Sequence, residues 1–81
     1  MAKKQFELIY PTHLIKEPLI YQMSKAIDVV FNVRRAKVTP KIGEIVLELE
    51  AKDDKTLEAA VQFLTKKGVT VGPITHSTVE S

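Results

Sequence analysis

The side chains able to do chemistry are few and far apart. The chain has two histidines, ten carboxylates and no cysteine. His13 follows Pro11 and His76 falls near the end of the chain, so neither has a second ligand at metal spacing, and no HExxH pattern occurs. Asp53 and Asp54 could together meet a divalent cation, yet two acids at a helix start are already explained by the positive end of the helix dipole. Glu44, Glu48 and Glu50 share one face of a strand, where carboxylates could serve acid–base chemistry or simply face water. Gly43, Gly68 and Gly72 stand apart in turn contexts, so no phosphate-cradling loop is present. The expectation is a protein that is not an enzyme and uses no cofactor or metal.

Two polar residues remain. Asn32 is an amide in an apolar, β-branched segment, with one acceptor and two donors to satisfy. On the open face of a sheet it would hydrogen-bond water or a neighbouring strand; in a binding site it would read a ligand. Arg34 carries a guanidinium that matches a carboxylate bidentately. It could receive an amino-acid carboxylate, or pair with Glu44, Glu48 or Glu50.

The elements that position these residues follow from periodicity. From Lys4 to Tyr10, Phe6, Leu8 and Tyr10 alternate with Gln5, Glu7 and Ile9, which is the pattern of a half-buried strand ended by Pro11. Glu17-Pro18 opens a helix, proline being suited to the first helical position, and Leu19, Ile20, Met23 and Ile27 recur at helical spacing. Val29 to Val38 reads as a second strand. Its apolar parity changes from Val29, Phe31 and Val33 to Ala36 and Val38, which predicts a bulge near Arg34-Arg35. Thr39 to Gly43 is a turn, with Gly43 available for a positive φ.

A third strand carries Ile45, Leu47, Leu49 and Ala51 on one face and Glu44, Val46, Glu48 and Glu50 on the other. A second helix starts at Asp53-Asp54, buries Leu57, Ala60, Val61 and Leu64, and ends at Lys66-Lys67-Gly68. Val69, Val71 and Ile74 form a last strand that Pro73 marks as an edge or cuts short. The order is βαββαβ, and right-handed crossovers put both helices on one face of a four-stranded antiparallel sheet. The fold class is therefore α+β, a two-layer ferredoxin-like sandwich, with a core over about residues 4–75 and a polar tail over 76–81.

Composition agrees with one small globular domain of 81 residues, 44% hydrophobic and 27% charged. No apolar run approaches the ~20 residues of a membrane span, and Met1-Ala-Lys-Lys-Gln is unlike a secretory signal. A cytoplasmic location without membrane insertion is expected. The net charge of +2 is small. The sheet face that RNA-binding sandwiches use for base stacking would here present Glu44, Val46, Glu48 and Glu50 beside Gln5, Glu7 and Ile9, which argues against nucleic acid.

Five segments in order add a resemblance. Leu8-Ile-Tyr-Pro11, Leu14-Ile-Lys-Glu-Pro-Leu-Ile20, Asp28-Val-Val-Phe-Asn-Val-Arg-Arg-Ala36, Gly43-Glu-Ile-Val-Leu-Glu-Leu49, and Ala60 to Leu64 with Lys67 to Val71 resemble the NIL domain, the regulatory module of methionine-transporter ATPases. The resemblance implies an ACT-like domain that pairs as a homodimer and binds a small amino acid, methionine in the transporters. It implies a ligand-associated asparagine at Asn32, and with Arg34, Phe31 and Val33 beside it in the strand this completes the candidate ligand-binding set. It also implies a client, either a transporter ATPase or a ferredoxin-type module. The chain departs from the family triplet at Arg34, where an apolar residue is usual. A second reading is a protein-interaction module that uses its open sheet face or a strand edge without a small ligand.

Overall fold

The computed structural model describes residues 1–74. Strand β1 (Ala2–Tyr10), helix α1 (Leu19–Ala26), strands β2 (Val30–Val38) and β3 (Gly43–Ala51), helix α2 (Asp54–Lys67) and strand β4 (Thr70–Pro73) follow one another as βαββαβ. The sheet is antiparallel throughout in the order β2-β3-β1-β4. The ferredoxin-like topology read from the periodicity is the one observed. The polar tail and His76 lie outside the described residues.

The core is the alternating face of the two central strands closed by the helical stripes. Leu8 and Tyr10 of β1 and Leu47, Leu49 and Ala51 of β3 meet Leu19 and Met23 of α1, Leu57, Ala60 and Leu64 of α2, and Val69. β1 begins two residues earlier than its own alternation suggests, because Ala2 and Lys3 pair with Ala51 and Glu50 at the end of β3. Val61 is only partly buried, at the margin of the α2 stripe.

The chain's punctuation is local chemistry. After β1, Pro11 leads into a single 3-10 turn over Thr12–Leu14. Pro18 is the residue before α1 rather than its first residue. At φ −81° and ψ 61° it makes an inverse γ-turn, with Leu19 N–H donating to the Glu17 carbonyl at 2.8 Å. Its own carbonyl accepts from Gln22 N–H at 3.0 Å, so the helix still starts on proline.

The β2–β3 loop is tied by Thr39, whose hydroxyl accepts from Lys41 N–H and Ile42 N–H at 3.2 and 3.0 Å. Gly43 therefore does not supply the expected positive φ. Glycine is suited there by close approach instead: a Cβ would lie 3.2 Å from Tyr10 Cβ and 3.4 Å from Ile15 Cγ1. The positive φ belongs to Gly68, at 108°, where it ends α2 in the left-handed conformation. At the other end of α2, Asp53 accepts from Thr56 N–H at 2.8 Å and from its hydroxyl at 2.6 Å.

Candidate functional site

The residues singled out for ligand binding lie on β2, the longer of the sheet's two edge strands. It is an edge of the sheet, paired on one side with β3. All nine of its residues are exposed. α1 makes its principal contacts with α2 and few with β2. Phe31 and Val33 pair with the buried Leu49 and Leu47, and Ala36 and Val38 with Ile45 and Gly43, so all four point to the helix side of the sheet. Yet Phe31 is 40% exposed, Val33 45% and Val38 56%. The face that sequence alternation assigns to the core overhangs the helical layer.

The predicted bulge is present. Val33 pairs with Leu47 and Arg35 with Val46, leaving Arg34 as the extra residue. The shift restores apolar parity beyond it and turns Arg34 to the open face. There its Nη1 lies 3.4 Å from Glu48 Oε1. Asn32 pairs with Glu48 across β2 and β3 and shares that face. Lys3 approaches the other carboxylate oxygen of Glu48 at 3.8 Å. The four candidate residues are thus divided by the sheet: Asn32 and Arg34 on the open face, Phe31 and Val33 on the helix side.

The remaining titratable groups are dispersed. Among the described residues no three histidine, cysteine, aspartate or glutamate side chains gather where they could hold a metal ion. Asp53 has its carboxyl held below the usual range, first by the Thr56 side-chain hydrogen bond and then by the Thr56 backbone bond. That is helix capping and leaves the group in solvent. His13 sits exposed on the 3-10 turn.

A concavity beside α1 was not foreseen. It is an apolar cleft of about 180 Å³ at the foot of α1, lined by Tyr10, Glu17, Leu19, Ile20, Val38 and Ile45 among others. Its one signal in the sequence is Tyr10, a phenol on the buried face of β1.

With this geometry in place, the family can be assigned. The NIL domain model matches residues 4–72, nearly the whole described chain. The chain belongs to the NIL domain family. Solved structures agree on the fold. The C-terminal domain of an ABC transporter / ATP-binding protein from Enterococcus faecalis superposes with a TM-score of 0.75 and 19% identity, over 88% of this chain and 82% of that one. A de novo designed protein, Foldit4, does so with a TM-score of 0.59 and 14% identity, over 89% of this chain and 91% of the design. No curated protein sequence matches. That a designed protein shares the architecture underlines that the fold alone carries no function. Among the described residues of this NIL domain no helix is long and apolar enough to cross a membrane.

Proposed function

We propose that this NIL domain is a cytoplasmic regulatory module, a homodimer paired along β2 that takes a small amino acid at the interface, with methionine the first candidate. The observation that carries the reading is the uncovered nine-residue edge strand with Phe31, Val33 and Val38 exposed beside it. A long edge with unpaired backbone groups and an apolar flank invites strand addition. A second copy placed by a two-fold axis would extend the sheet and cover both flanks at once.

The open face supports a ligand with a carboxylate. β2 presents Arg34, Arg35 and Lys37 there, opposite Glu48, Val46 and Glu44 of β3. Two copies paired antiparallel through the middle of β2 bring two such basic rows together, which is repulsive until an anion lies between them. An amino-acid carboxylate held by Arg34, with the Asn32 amide reading its polar groups, supplies that anion and favours the paired state. The ligand then acts by shifting a population, through its preference for one packing.

Calorimetry with methionine, a panel of other amino acids and methioninamide tests this. Saturable heat with methionine, lost in Asn32→Ala and absent with the amide, is the expected result. No heat with any amino acid, and no stabilisation at millimolar concentration, would remove the ligand from the account.

The exposed edge also supports the second reading, addition of a strand from a client protein. A domain that stays monomeric with and without amino acids, but captures a transporter ATPase through β2, favours that reading.

A further inference from the structure

We propose that the cleft at the foot of α1 is a binding site for a small organic ammonium ion with an apolar body, distinct from the Asn32–Arg34 face of β2 and sharing with that strand only Val38. The cleft lies between the start of α1, the end of β1 and the β2–β3 turn, on the helix side of the sheet. Asn32 and Arg34 face the other way.

Size sets the first limit. A cavity of about 150 Å³ with aliphatic walls holds one benzene-sized molecule. At about 180 Å³ this cleft takes a branched aliphatic chain or a single ring, and nothing the size of a nucleotide. Leu19, Ile20, Val38 and Ile45 offer an apolar body no hydrogen bonds.

Two polar groups select the rest of the ligand. Tyr10 is only 7% exposed, and among the described residues its hydroxyl makes no side-chain hydrogen bond. Burial pushes the Tyr10 phenol above its ordinary pKa, so it remains a neutral donor and acceptor.

Glu17 is the charged side chain among the lining residues, and among the described residues it forms no salt bridge. It is exposed, just before α1. An apolar slot with an unpaired carboxylate beside it is complementary to an amine and repels an anion.

The test uses the full chain with labelled isoleucine, leucine and valine methyl groups, observed by NMR during titration with isoamylamine, isoamyl alcohol or isovalerate. The amine should shift the Ile20, Val38 and Ile45 methyls saturably, the alcohol more weakly and isovalerate least. Because Glu17 is solvent-exposed, Glu17→Gln should weaken the amine by only about threefold and leave the alcohol unchanged. Tyr10→Phe should weaken both. Equal binding of amine and isovalerate, an unchanged amine affinity in Glu17→Gln, or no saturable shift at these methyls would each overturn the proposal. The methionine calorimetry on Asn32 is unaffected by any of these results, so the two sites fail or stand separately.

Discussion

Arg34 reaches Glu48 across the β2–β3 pair, Nη1 to Oε1 at 3.4 Å, because the bulge turns an extra residue of β2 onto the open face. Arg34 is half-exposed while Glu48 is largely enclosed, between Arg34 and Lys3. The contact decides how available Arg34 is. A ligand carboxylate must share or displace Glu48 to use the guanidinium.

A double-mutant cycle on Arg34→Ala and Glu48→Ala should therefore show a coupling of at most ~1 kcal/mol, because Arg34 stays half in solvent, and less at high salt. Urea unfolding of the four proteins at two salt concentrations measures it. Glu48→Gln, which releases Arg34, should bind an amino-acid carboxylate more tightly than the parent.

Gly68→Ala should cost about 1–2 kcal/mol, since a side chain at φ 108° is strained, and its Cβ would also meet Leu14 Cδ1 at 3.0 Å. Gly72→Ala is the control. Nothing lies within 4 Å of a Cβ there, and its φ is not positive. Denaturant midpoints of the two variants should differ clearly.

The Asp53 cap predicts a pH dependence. Its folded-state pKa is lowered from 3.8, mainly by the two Thr56 hydrogen bonds. Between the folded value and 3.8 the unfolded chain binds more protons than the folded one, so stability rises with pH in that window. The contribution is complete above the unfolded value and lost as pH falls through the folded one. Asp53→Asn, which keeps a capping oxygen but does not titrate, should flatten this part of the stability–pH curve. An unchanged slope would contradict the assignment.

Core and edge should respond in opposite ways. Leu47→Ala or Leu64→Ala, both fully buried, should cost about 2–5 kcal/mol of unfolding free energy. Val33→Lys, on the uncovered flank, should leave the monomer's unfolding nearly unchanged and abolish self-association. Sedimentation and urea titration together separate the two effects.

The sequence foretold what depends on neighbours along the chain. Alternation in β1 and β3, the helical stripes, the Gly68 stop and the Arg34 bulge all follow from local period or local chemistry. Contacts between distant segments were out of its reach. The extra residues of β1 are set by the length of β3, and the fitness of Gly43 comes from Tyr10 and Ile15 rather than from a positive φ. Pro18 shows the same limit on a smaller scale, since a γ-turn places it one position earlier than the helical preference implies.

β2 is the case that matters for function. Its pattern gave it an apolar face, but helix α1, eight residues long, packs mainly on α2, and Phe31, Val33 and Val38 stay exposed. Asn32 was a candidate by type and by resemblance, and Arg34 by type alone. Their separation from Phe31 and Val33 by the sheet follows from the pleat and the bulge together.

On the proposed function, a second copy pairs at the free edge of β2. Hydrogen exchange of the outward-pointing β2 amides, followed as a function of protein concentration, tests it most directly. Exchange should be rapid in dilute protein and slow as concentration rises, with methionine moving the transition to lower concentration. Exchange that stays rapid at every concentration, in protein whose β1 and β3 amides are protected, would contradict it.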